Sequence, residues 1–375
     1  MAAPLWIHAV SVGEVAAAAP LVRALREQNQ ARPILLTTTT PTGRDAVERQ
    51  FGQGVTHVYF PYDLGFIVRR FLARFRPCGL LLMETELWPN VIAGCRQENL
   101  PVMLINGRLS AKSARRYHWL PWLVRPMLAS LTHAAMQTLA DAERLCALGA
   151  TPFAVSVTGS LKFDLHVPAS IYEEAAALRR HLGPSRPIWM AGSTRLGEED
   201  KLLEIYVMIK SRLPALLFVI APRHPQRFAE VIELCHRRGL QTRQRSAGMT
   251  CPPATEVLVL DTMGELLRFY AACDVAFVGG SLVPLGGQNV LEPAAVGVPV
   301  VTGPHLFNFL EIAEKLVTGG SLKIADDAPA IANIIATWLL DSDARDAAGR
   351  SGREIVEANR GATHKVLALL NAQGL

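Results

Sequence analysis

Short apolar runs that do not alternate polar and apolar residues, each followed by a helix-length stretch, recur from one end of this chain to the other. Runs at residues 5–10, 33–38, 55–60, 79–83, 102–105, 134–137 and 154–157 occupy the first half, and runs at 188–191, 216–220, 257–260, 274–278 and 298–301 the second. A strand that is apolar on both sides is buried on both faces, and strands separated by helices are joined by crossovers. The pattern therefore predicts parallel sheets covered by helices on each side. Helices are expected over 15–28 and 66–75. The rhythm pauses at 162–168 and resumes with a helix opened by Ser170 and Glu173 at capping-box spacing. A chain of 375 residues, 50% of them hydrophobic, can bury two cores. The expectation is an α/β protein of two Rossmann-like domains, 1–167 and 168–375.

Ligands of such sheets bind beyond the carboxyl ends of the strands. In the first half those ends read Ser11-Val12-Gly13-Glu14 and Glu84-Thr85-Glu86, with Gly159-Ser160-Leu161-Lys162 near the pause. In the second half they read Gly192-Ser193-Thr194, Pro222-Arg223-His224, Asp261-Thr262-Met263-Gly264-Glu265 and a glycine-rich stretch from Gly279. Two facing domains are expected to bring both sets into one cleft, with carboxylates mainly from the first and cationic, nucleotide-holding groups from the second.

The stretch 279–304, GGSLVPLGGQNVLEPAAVGVPVVTGP, reads as strand end, glycine loop, helix start and next strand. The strand delivers the chain to Gly279-Gly280, and a second pair, Gly286-Gly287, lets backbone N–H groups approach an anion without Cβ obstruction. Asn289 is expected to cap a helix whose positive end faces the same anion, and Glu292, on the same helix face, to accept hydrogen bonds from a ribose diol. The same spacing also describes an ordinary βα turn.

Glu14 follows a tight turn at a strand end and opens an alanine-rich helix, which suits a general base that the helix dipole keeps ionised; helix-terminal charge complementarity reads equally well. Glu84 and Glu86 are expected on one face in β-like geometry, while Lys162 and Arg223 can neutralise a departing phosphate. The sequence has no GxxxxGK[ST], no strand-coupled GxGxxG, no DxD pair with a metal-friendly cluster and no CxxC. Kinase, NAD-dependent, metal-dependent and disulfide-framework readings lose support accordingly. His8 lies within an apolar run and reads as a core histidine.

Charge is uneven: residues 1–167 hold 17 Lys+Arg against 11 Asp+Glu, and residues 168–375 hold 21 against 22. Arg69, Arg70, Arg74 and Arg76 form one basic segment, and Lys112, Arg115, Arg116 and Arg125 form another that also carries Tyr117, Trp119 and Trp122. Basic residues interleaved with tryptophan suit an anionic membrane surface or an anionic lipid substrate, and a solvated helix face remains the plain alternative. No helix-turn-helix, RRM or finger signature points to nucleic acid, and no run of 18 apolar residues points to a membrane span.

HAVSVGE at 8–14, METELWPN at 83–90, GSLKFD at 159–164, APRHPQR at 221–227, DTMGEL at 261–266 and GGQNVLEPAA at 286–295 resemble, in order, the motif series of the 3-deoxy-D-manno-octulosonic acid (Kdo) transferases. The resemblance implies a GT-B fold with an interdomain cleft. It implies inverting transfer of Kdo from CMP-Kdo to the lipid A precursor at the cytoplasmic face of the bacterial inner membrane, with no cofactor beyond the donor and no metal. By motif, Glu14 is the base, and Glu84 and Lys162 stabilise the transition state. Pro222, Arg223, Met263, Gly264, Glu265, Asn289, Val290, Leu291 and Glu292 bind CMP. The family motifs follow an N-terminal membrane anchor and a connecting segment that this sequence does not show, so a peripheral membrane contact is expected. The rival readings are a GT-B UDP-sugar 2-epimerase and a non-catalytic nucleotide- or lipid-binding module.

Overall fold

The computed structural model describes residues 2–375. Its first sheet is built from β1 (Leu5–His8), β2 (Ile34–Thr38), β3 (Thr56–Tyr59), β4 (Gly79–Met83), β5 (Val102–Gly107), β6 (His133–Met136) and β7 (Val155–Val157), in the order β3-β2-β1-β4-β5-β6-β7. The second is built from β8 (Ile188–Thr194), β9 (Leu217–Pro222), β10 (Thr242–Gln244), β11 (Val257–Val259), β12 (Val275–Val278), β13 (Val300–Thr302) and β14 (Leu322–Ile324), in the order β10-β11-β9-β8-β12-β13-β14. Every pairing in both sheets is parallel, as expected from strands that lack alternation.

Successive residues of β1 show why the sheet needs helices on both faces. Leu5 and Ile7 enter one core with Val15, Leu21 and Val22 of the helix Val12–Gln28, whereas Trp6 enters another with Val68, Leu72 and Val91. Sequence-local signals start these helices. Ser11 and Thr40 cap the helices Val12–Gln28 and Pro41–Phe51 by accepting the N–H of Glu14 and Gly43, and proline sits in the first turn of the second. The capping box expected at Ser170 does not form. Ser170 makes no cap bond, and its hydroxyl instead donates to Glu174 at 2.7 Å.

The chain divides into two compact units, one running to Leu165 and taking back Asn359–Leu375, the other spanning His166–Ala358. The first boundary lies two residues from the expected one, but the assignment of the last residues to the second domain is corrected. The helix Ala362–Ala372 places Val366, Leu367 and Leu370 in the Leu5–Ile7 core, and Leu375 fills the space a Cβ on Gly79 would need. Asp164 fixes this return by accepting N–H bonds from Gly361 (2.7 Å) and Thr363 (2.5 Å). The last residue of the GSLKFD motif thus caps a helix almost 200 residues later. Among the described residues no helix is long and apolar enough to cross a membrane.

Candidate active site

In the first unit β1 lies between β2 and β4, so chain connections diverge where β1 and β4 end, the position at which open α/β sheets bind ligands. Three carboxylates meet there. Glu14, 9% exposed, accepts the Val10 N–H at 2.9 Å and the Ser11 hydroxyl at 3.3 Å. Burial pushes its carboxyl up to about 8; these hydrogen bonds oppose the shift and the charges of Glu84 and Glu86 add to it. The helix start was expected to keep Glu14 ionised, and this is corrected: dehydration and two like charges outweigh the helix dipole, whose effect is ordinarily below about 1 kcal/mol. A carboxyl near 8 suits a base that must take a proton near neutral pH.

Glu84 does not continue the strand. β4 ends at Met83, and Glu84 turns with φ 54°, a left-handed conformation that costs a non-glycine residue strain. The expected β-like pairing of Glu84 with Glu86 is therefore replaced by a turn, yet the two still interact: burial first and the Glu84 charge after it raise the Glu86 carboxyl. Glu84 pairs with Lys162 at 3.4 Å, both side chains about one-fifth exposed. Lys162 is placed by the turn Leu161–Asp164, whose Leu161 N–H donates at 3.0 Å to Oδ1 of buried Asn106. The unit thus gathers Glu14, Glu84 and Lys162 at one sheet end, with Glu86 joining them. The arrangement offers a proton acceptor beside a carboxylate–ammonium pair.

His8 is fully buried, stacked 3.7 Å from Phe60, with Nδ1 2.9 Å from the Thr37 hydroxyl. Burial lowers it to about 3, so it stays neutral, in keeping with a core histidine.

In the second unit the candidates divide into three groups. Pro222 ends β9 and is buried, and Arg223 follows it, its N–H donating to Thr194 O at 3.0 Å. Met263 (56% exposed) and Gly264 (φ 84°) form the turn after β11, while Glu265 is engaged internally by Arg245, Arg268 and the Thr262 hydroxyl. The third group is Asn289–Glu292. The helix that Asn289 was expected to cap is Leu291–Ala295, five residues, and the residue at its cap position is Val290. Its dipole is correspondingly small. Asn289 still acts locally: its Oδ1 accepts the Leu291 N–H at 3.1 Å and its Nδ2 donates to Glu292 at 3.1 Å. Val290 and Leu291 are fully buried, which leaves only their backbone to offer a ligand. Burial raises the Glu292 carboxyl, while the Asn289 hydrogen bond and the Arg223 charge oppose that. Arg223 thus lies close enough for its charge to act on Glu292, although 69 residues separate them in sequence.

Two functional-looking residues were not singled out by sequence. Asn106, left-handed (φ 55°) where β5 shifts register, holds the Lys162 turn. Glu198 is fully buried beneath the glycine loop. The available signal for Glu198 was its place four residues after the β8 end, in the run Gly197-Glu198-Glu199-Asp200.

Residues 1–165 match the family model described as 3-deoxy-D-manno-octulosonic-acid transferase (kdotransferase). The chain is 39% identical to the 3-deoxy-D-manno-octulosonic acid transferase of Haemophilus influenzae, over 98% of this chain and 86% of that one. It is 42% identical to that of Bordetella pertussis, over 99% and 87%. Among solved structures, a UDP-GlcNAc 2-epimerase from Neisseria meningitidis matches with TM-score 0.64 and 14% identity, over 98% of this chain and 99% of that one. A glycosyltransferase from Rickettsia africae matches with TM-score 0.60 and 13% identity, over 98% and 97%. At these identities the structural likeness shows the fold alone, which is GT-B.

Proposed function

The chain belongs to the 3-deoxy-D-manno-octulosonic acid transferase family, and on that footing we propose that it moves Kdo from CMP-Kdo to a hydroxyl of the lipid A precursor, with inversion, in lipopolysaccharide biosynthesis. The observation that carries the mechanism is the cluster at the end of the first sheet, where buried Glu14 sits beside Glu84 and Glu86 with its carboxyl near 8. Glu14 takes the proton of the acceptor hydroxyl as its oxygen attacks the anomeric carbon. The new C–O bond forms while the bond to CMP breaks, and the bonding pair leaves with the phosphate. Glu84 and Lys162 act on the oxocarbenium-like transition state.

The second unit holds the nucleotide in this reading. Arg223 meets phosphate charge, Glu292 accepts from the ribose hydroxyls, and the exposed Met263-Gly264 turn meets the base. No metal or cofactor is assigned a role. The basic segment of the first unit is the proposed membrane contact, at the cytoplasmic face of the inner membrane. The helix Ala111–His118 buries none of its residues, and Trp119 and Trp122 beyond it are 83% and 73% exposed. Tryptophan beside arginine suits the headgroup layer.

The test is product analysis by mass after incubation with CMP-Kdo and lipid A precursor. A product heavier by Kdo units, formed equally with EDTA present, is expected. No transfer to that acceptor, or conversion of UDP-N-acetylglucosamine instead, overturns the assignment.

A further inference from the structure

In the second sheet β8 lies between β9 and β12, so the corresponding divergence of chain connections falls where β8 and β12 end. Both ends carry left-handed backbone, Ser193 at φ 56° and Gly280 at φ 69°. The two loops touch: a Cβ on Gly279 would lie 2.6 Å from Ser193 O and 2.7 Å from Thr194 Cα. Consecutive N–H groups in such turns make a concavity that binds anions. Here the protein fills it. Glu198 Oε2 accepts from Gly280 N at 2.7 Å and Arg195 N at 2.8 Å, and Oε1 accepts from Ser281 N at 3.0 Å and Leu282 N at 2.9 Å. The carboxylate is wholly buried.

From there the hydrogen bonds lead to the proposed donor site. The carbonyls of Gly279 and Gly280 accept the N–H groups of Gln288 (3.0 Å) and Gly287 (2.8 Å), and Asn289 follows directly. Ser281 braces the other side, its carbonyl accepting from His305 N at 3.0 Å and its hydroxyl from Gly303 N at 2.9 Å. Asn289 and Glu292 are thus anchored through two glycine peptides to one buried carboxylate. We propose that Glu198 is a positioning residue for the donor, a built-in counter-anion that occupies the anion nest of the second sheet and so fixes Asn289–Glu292 for the nucleotide.

This rests on the reading that the second unit holds the donor nucleotide. The N–H groups of residues 280–282 belong to Glu198, so the donor phosphate is left to Arg223 and to the second glycine pair, Gly286-Gly287. An anion is required because two N–H donors converge on each oxygen. A glutamine would set its NH₂ against two of them and leave them unsatisfied.

The test uses the full chain with CMP as the probe, comparing native protein with Glu198→Gln, Glu198→Asp and Glu198→Ala. Glu198→Gln is expected to weaken CMP binding about 10- to 100-fold, the range set by lost hydrogen bonds to a charged group, and to raise donor KM more than it lowers kcat. Glu198→Asp, which keeps the anion, recovers part of the affinity. Formate, small enough for the vacated space, restores CMP binding to Glu198→Ala and does nothing for native protein. Folded Glu198→Gln with native CMP affinity overturns the proposal, even if its thermal stability has fallen. Should the variants not fold, hydrogen exchange on the native chain decides. The amides of residues 280–282 are expected to be protected before CMP is added and no more protected after, and new protection on CMP addition would show that the nucleotide takes the nest. Native chain that binds no CMP defeats the donor reading, and the positioning role with it; formate stabilising Glu198→Ala would then show that the nest alone survives.

Discussion

The two sheets have the same kind of divergence point, and each holds a buried glutamate there, yet the two glutamates are in opposite circumstances. Glu198 accepts four backbone N–H bonds and lies at 0% exposure. Glu14 accepts one N–H and one hydroxyl, is 9% exposed, and faces the charges of Glu84 and Glu86. Position in the fold therefore does not make a carboxylate reactive. A saturated set of donors makes it a fixture, whereas dehydration with too few donors and like charges nearby leaves it ready to take a proton.

The comparison breaks most visibly if Glu14 is replaced. Glu14→Gln keeps shape but cannot accept a proton, so kcat should fall about 10²- to 10⁴-fold with CMP affinity unchanged, measured by steady-state turnover and calorimetry. Near-native turnover would make Glu14 a fixture like Glu198. Next in size, Glu292→Ala and Arg223→Ala should weaken CMP binding by about 1.5–3 kcal/mol while leaving the first unit's cluster untouched, and unchanged calorimetric affinity in both would remove the nucleotide from this loop. The smallest effect concerns the basic segment. Arg115→Glu with Arg116→Glu should reduce co-sedimentation with anionic vesicles at low salt, at about 1 kcal/mol per cation, and the difference should vanish at high salt. Equal binding at both salt concentrations would leave the segment a solvated helix face.

The strands of the two sheets were legible wherever burial on both faces wrote an unbroken apolar run. The edge strands of the second sheet, β10 and β14, were not, because Thr242–Gln244 and Leu322–Ile324 carry exposed polar or charged positions in place of an unbroken apolar run. The return of the C-terminal helix to the first unit was equally hidden, since its apolar stripe at Val366, Leu367 and Leu370 does not say which sheet it covers. Strand ends showed which side chains gather where the chain connections of each sheet diverge. They did not show protonation, which depends on neighbours such as Glu84 and Glu86 brought in from β4, nor the bond from Glu198 to an amide 82 residues away. The helix expected to start at Asn289 is capped one residue later, at Val290, and ends after little more than one turn, with Pro293 inside it and Gly297 at φ 82° just beyond.

The central claim is that Glu14 is a base whose proton affinity is set by burial and by the adjacent carboxylates, and the pH dependence of kcat/KM for the acceptor tests it most directly. The base works only when deprotonated, so activity should climb with pH, reach half its plateau near the value of about 8 to which Glu14 is raised, and level off above it. Glu84→Gln removes one of the charges that raise Glu14, so its rising limb should move to lower pH, whatever becomes of its maximal rate. A profile flat from pH 6 to pH 9 in the native chain, or a limb that stays in place in Glu84→Gln, would contradict the account.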